Sequence, residues 1–300
     1  MSNITGFFNF VNIIWTVSIL LGVVSSSKLI APYLDKISAN IIEVFVYLIV
    51  SAFLIGGKYT KTKNTSQFVA LTGCIILIPC ISYSLYLHLN NLDEINQVFE
   101  ILTATCTIIW GSVAIVYNSW IIGVITLIAF YSFNGFIAFN VPFGYVIGFK
   151  SSDIIPKNMV LSFQLLLLFT ILRIHKANIW YIEIFRPGVQ FMATFIYFLG
   201  GLITSSKFYD TRGNSYIPMQ FLMIFSYVLA MYFGNVYNIK QFRNVGGTYM
   251  FLYLIEKYVE IMWDFDTALV MFILSALLWI SSYVISRYPE YFGIRQLFVE

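Results

Sequence analysis

Charge is scarce in this chain. Asp, Glu, Lys and Arg together supply 10% of its 300 residues, where soluble domains carry about 25%. That excludes an ordinary water-facing surface over most of the molecule. Histidine is rarer still. His88 and His175 are the only two, too few for a zinc site, and no H-E-x-x-H, G-x-S-x-G or P-loop pattern occurs. Cys74, Cys80 and Cys106 lie inside apolar runs without metal-type spacing, so neither a metal centre nor a disulfide framework is expected. No basic block suits nucleic acid. The densest group, Lys58, Lys61 and Lys63, suits orientation in a membrane and headgroup contact. Every Asp falls in a loop or at the end of an apolar run, which disfavours an intramembrane aspartyl hydrolase. No enzymatic activity and no cofactor are expected.

What the chain has in quantity is apolar side chain, 59% of residues. In hydrocarbon only helices and closed barrels satisfy every backbone polar group. The apolar runs here are long and continuous, unlike the alternating ten-residue segments of a barrel, so helices are preferred. The expected fold is an all-α, polytopic integral membrane helical bundle of about ten transmembrane helices (range about 8–11), forming a single domain over 1–300. The expected spans are 8–24, 39–57, 67–87, 98–117, 120–139, 158–174, 188–204, 216–236, 246–263 and 267–286. The first is read as an uncleaved span, since residues 1–9 lack the Lys or Arg of a signal peptide. Three segments leave the count open. NVPFGYVIGFK (140–150) reads as a re-entrant turn, an extension of the fifth span or a loop. ANIWYIEIFRP (177–187) reads as a short interfacial helix. Residues 246–263 cross the membrane or lie along it.

With ten spans, ten basic residues fall on the N-terminal side and six on the other. The positive-inside rule then places both termini in the cytoplasm, in a bacterial-type cytoplasmic membrane or an equivalent cellular membrane. The acids gather opposite, Glu43, Glu100, Asp153, Glu260 and Asp264 among them. The sequons at Asn3 and Asn64 lie on the cytoplasmic side and read as chance matches. No internal repeat is visible by eye.

Within the spans, Pro79 in TGCIILIPCISYSL is expected to kink its helix. Gly200 and Gly201 permit close helix approach, and Asn134, Gln164, Gln190 and Gln220 suit interhelical hydrogen bonds. Glu43 and Glu100 lie near the starts of the second and fourth spans. They either snorkel to the interface or form the entrance of a water-filled cavity.

The densest charge lies in FLYLIEKYVEIMWDFD (251–266). On a helix, with Glu256 at zero, Glu260 falls near about 40°, Asp264 near about 80°, Lys257 near about 100°, Tyr249 near about 20° and Tyr253 near about 60°. These six residues share one face, and Asp266 does not. Lys257 and Glu260 have the spacing of a helical ion pair. Such a face is not expected to meet lipid. It borders a polar path, packs against polar groups of other helices, or lies at the interface turned toward water.

The run GGTYMFLYLIEKYVEIMWDFDTALVMFILSALLWISSYVISRY resembles the last two spans of a broad group of uncharacterised bacterial-type multi-pass membrane proteins with domains of unknown function. TGCIILIPCISYSLYLHL, followed by FEILTATCTIIWGSVAIVYNSWIIGVITLIAFYSF, is similar to that group's proline-containing span and the next two spans. The resemblance covers about residues 67–140 and 187–288. It implies a compact helical membrane bundle and carries no activity, cofactor or site residue. The charged face at 256, 257 and 260 departs from the group.

Two functions are expected from the residues. One is a transporter-like protein for a small solute or ion, with a polar path near the ninth span. The other is a non-enzymatic structural or assembly subunit of a membrane complex. The expected partners are membrane lipids and either other membrane subunits or a second copy of the chain. A third reading makes Lys257 a Schiff-base lysine with Glu260 as counter-ion, but ten spans with the lysine in the penultimate one do not favour it.

Overall fold

The computed structural model describes residues 38–88, 95–141, 144–175, 179–209, 216–262 and 267–287. The expected first span, the Asn3 sequon, Asp264 and Asp266 lie outside the described residues. Among those described, the α-helices are α1 (Ala39–Gly56), α2 (Lys63–His88), α3 (Ile95–Tyr117), α4 (Trp120–Phe133), α5 (Ile154–Ile174), α6 (Trp180–Thr204), α7 (Tyr216–Val236), α8 (Lys240–Met262) and α9 (Thr267–Arg287). A hairpin of β1 (Phe136–Val141) and β2 (Gly144–Phe149) separates α4 from α5.

The expectation of ten spans is corrected here. Six of the helices (α1, α2, α3, α5, α6 and α7) are long and apolar enough to cross a membrane. The apolar run 120–139 does not continue as one helix. Gly135, at φ +85°, turns the chain after α4, and residues 136–149 pair as an antiparallel ladder from Phe136 opposite Phe149 to Val141 opposite Gly144. The 14 residues of α4 rise about 21 Å, short of a hydrocarbon core about 30 Å thick. From Trp180 onward the expected interfacial helix is instead the opening of α6, which runs unbroken through Pro187. Trp180 and Tyr181 lie exposed at its start, in edge-to-face contact. Helix α2 likewise continues through Pro79. The Trp110 indole of α3 donates to the Cys74 carbonyl one turn earlier, at 3.0 Å.

The core is built in three parts, and α6 enters all of them. The first gathers α1 to α4 with Ile184 of α6. The second joins α4, Phe136 and α5 to Val189, Met192 and Ile196. The third joins α5, α7 and α8 to Tyr197 and Phe198. Of the six long apolar helices, α6 is the most buried and α1 the least. The outer faces of α1 and α9 expose Val44, Phe45, Leu48, Phe272, Leu278 and Trp279. Exposed apolar surface on this scale is stable against lipid and not against water. The chain is a membrane-embedded helical bundle.

Two of the turns between helices are alike, that from α3 to α4 and that from α7 to α8. In both turns Val-Tyr-Asn closes the preceding helix, as Val116–Tyr117–Asn118 and Val236–Tyr237–Asn238. The asparagine is left-handed in each case, at φ 47° and 51°, a conformation this residue tolerates. The amide five residues on from the helix carbonyl closes each turn, Ser119 to Ala114 at 3.0 Å and Ile239 to Gly234 at 2.9 Å. A further helix end meets each turn. The Tyr117 hydroxyl donates to the Leu54 carbonyl, and Arg173 donates to the Asn238 carbonyl at 3.3 Å.

Candidate functional site

Helix α8 begins at Lys240, six residues before the expected ninth span, and ends at Met262. Its polar face turns toward α6 and α7. Tyr249 and Tyr253 are buried in the third part of the core. Tyr249 lies against Phe195 and Phe198 of α6, with ring centroids 5.8 and 6.2 Å apart. Tyr253 lies 5.5 Å from the Tyr227 ring.

Two turns further along, Glu260 is 4% exposed, so its charge must be met inside the protein. Lys257 donates to both carboxylate oxygens at 2.9 Å. The Lys207 backbone N–H donates to Oε1 at 2.6 Å and the Tyr216 hydroxyl to Oε2 at 2.9 Å. The Lys257 ammonium also donates to the Ser205 carbonyl at 2.5 Å. It lies 5.2 Å from the centres of the Tyr216 and Tyr253 rings, an arrangement that supports a desolvated cation. Gln220 links the two sides, donating to the Ser205 carbonyl and accepting from Tyr253. The C-terminal carbonyls of α6 attract the ammonium, and the N–H just beyond them holds the carboxylate.

Glu256 is placed differently. The Ser206 hydroxyl lies near its carboxylate, and Oε2 is buried without a partner among the described residues. The Tyr227 hydroxyl, on a side chain 2% exposed, is also buried and unpartnered among them. It lies within electrostatic reach of Glu256 and Tyr253. A carboxylate oxygen and a phenol, both shielded and both unused, thus adjoin a fully engaged ion pair. Sequence reasoning missed Tyr227, Ser205, Ser206, Lys207 and Tyr216, which lie 29 to 55 residues away from Glu256 or Glu260. The polarity of Gln220 was its only signal for this meeting of helices.

The two expected entrance residues are not together. Glu43 of α1 accepts from His88 at the end of α2, at 3.0 Å. Glu100 of α3 pairs with Lys150, just past the hairpin, at 3.0 Å. The Glu100 pair borders a cavity of about 610 Å³ between α3, the end of α4, the hairpin and the start of α5. Pro79 lines neither region.

Comparison with family models, with curated proteins and with solved structures finds no match. The functional reading therefore rests on the geometry.

Proposed function

We propose that this membrane protein is transporter-like, moving a small solute or ion, with Glu256 as the working carboxylate of a polar centre formed by α6, α7 and α8. The observation that carries this reading is the unused pair of Glu256 Oε2 and the Tyr227 hydroxyl beside the Lys257–Glu260 ion pair. A polar lock needs every member satisfied. Here one carboxylate oxygen and one phenol are left over, which suits a centre that accepts an ion or a proton during a cycle. Ionisable residues in a membrane domain are expensive to bury and mark ion and solute paths. Lys257 and Glu260 position the centre, and the end rich in Lys58, Lys61, Lys63 and Arg173 faces the cytoplasm.

The test is flux in proteoliposomes, read on a solid-supported membrane with a panel of alkali cations, carboxylates, amino acids and sugars. Glu256→Gln is expected to abolish transport while gel filtration and melting behaviour stay those of the parent. A folded Glu256→Gln protein with undiminished flux, or no flux for any member of the panel, overturns the reading.

A second reading, a structural or assembly subunit, is favoured by the complete satisfaction of Lys257 and Glu260 and by the bare apolar faces of α1 and α9. Partner helices would cover those faces. Cross-linking in native membranes that returns only monomers counts against it.

A further inference from the structure

We propose that the cavity between α3, α4, the hairpin and α5 binds an amphiphilic anion, its acid group at Lys157 and its apolar part on Phe99 and Phe133. The site is separate from the Glu256 centre and does not rest on the transport reading. Its volume, about 610 Å³, lies within the range of small-molecule sites, about 300–1,000 Å³.

The charge on its walls is unbalanced. Lys150 is neutralised by Glu100 at 3.0 Å. Lys157 also lines the cavity, is exposed, and has no carboxylate within ion-pair distance among the described residues. Among the lining residues two lysines stand against one glutamate, with Asp153 one turn before Lys157 outside the lining. Both Lys157 and Asn158 stand in the first turns of α5, where the helix dipole favours a negative group.

Asn158 shapes the wall without offering a free polar atom to the cavity. Its amide nitrogen donates to the Asn134 carbonyl at 2.8 Å and to the Ile154 carbonyl at 3.2 Å, and its oxygen is buried.

The apolar walls then choose the rest of the molecule. Phe99 and Phe133 are both exposed and border the cavity at the end of the bundle that also carries Glu100 and Lys150. In a membrane-embedded protein these rings meet acyl chains. The ligand chemistry is therefore an acid with a hydrocarbon tail. Two sources offer it: an anionic lipid headgroup such as a phosphoglycerol, and a soluble hydroxy acid of medium chain length.

The experiment measures binding to the full chain purified in a neutral maltoside detergent. One arm titrates phosphatidylglycerol against phosphatidylcholine by native mass spectrometry. The other titrates 3-hydroxydecanoate by thermophoresis. Saturable binding in either arm supports the site, and the arm that binds names the source. Lys157→Gln is expected to weaken it at least about tenfold, the effect of losing one charge-assisted hydrogen bond. Lys157→Arg should keep it, and Lys63→Gln, at the other end of the bundle, should leave it unchanged. No saturable binding in both arms, or equal binding by a folded Lys157→Gln protein, overturns the proposal. Glu256→Gln should leave binding intact, so a failure of the transport reading is separable from a failure here.

Discussion

Lys257 and Glu260 show how a charged pair is held where water is scarce. Each ion loses several kcal/mol of solvation on burial, and attraction alone does not restore it. The carboxylate therefore takes two further donors, from Lys207 and Tyr216, and the ammonium takes the Ser205 carbonyl and two tyrosine faces. Removing one partner is worse than removing both. Glu260→Ala is expected to destabilise the protein by about 3–5 kcal/mol, because it leaves a desolvated ammonium facing carbonyls and rings alone. The double variant Lys257→Met/Glu260→Leu should recover most of that loss. Melting in detergent compares the two, and a double variant no more stable than Glu260→Ala would refute this account. Glu256→Gln should cost little stability by comparison, since Oε2 has no partner to lose among the described residues.

At the scale of the element, α6 is held by close backbone approach to α4. A Cβ added at Gly188 would lie 2.7 Å from Leu127 Cδ1 and 3.2 Å from the Val124 Cα. One added at Gly123 would lie 3.0 Å from the Ile184 carbonyl oxygen. The two glycines thus remove bulk from both sides of one contact, as small residues do between membrane helices. Gly188→Val should lower stability by about 1–3 kcal/mol through overpacking, while Gly148→Ala, with open space around it, should change melting little. Equal melting of the two variants would show that α4 and α6 do not pack this closely.

Most helices were legible in the sequence because a long apolar run has few other uses, and 216–236 coincides with α7 to the residue. The hairpin was not, because a short apolar run reads alike as strand or helix. Its signals, Gly135, Pro142, Gly144 and Gly148, mark breaks in a helix without specifying a strand. The start of α6 was hidden by Pro187, which reads as a boundary but sits inside the helix. Helical periodicity places Tyr249, Tyr253, Glu256, Lys257 and Glu260 on one face. What that face meets depends on residues brought by α6 and α7, and no local pattern encodes them.

Across the whole molecule, the α3–α4 and α7–α8 turns are alike and the opposite end is not. Both Val-Tyr-Asn turns hold a left-handed asparagine. At the opposite end α4 stops short and gives way to the hairpin and its cavity, whereas α8 continues into the Glu256–Glu260 centre. The two candidate sites therefore lie at the end opposite those turns, and the Tyr209 hydroxyl joins their surroundings by donating to the Ser152 carbonyl at 3.1 Å. Helix α4 and the hairpin together return the chain to the end where α3 begins, with Lys150 pairing there with Glu100, so this arrangement requires Lys61 and Lys240 to lie on one side of the membrane and Ser152 and Phe208 on the other. All four positions are exposed. With Cys74, Cys80 and Cys106 buried and replaced by alanine, single cysteines at the four positions can be labelled with a membrane-impermeant maleimide in right-side-out and inverted vesicles. Positions 61 and 240 should label from one face, and 152 and 208 only from the other. Labelling of 61 and 152 from the same face would mean that the helices between them do not carry the chain across, and the shared end that holds both sites would be lost with it.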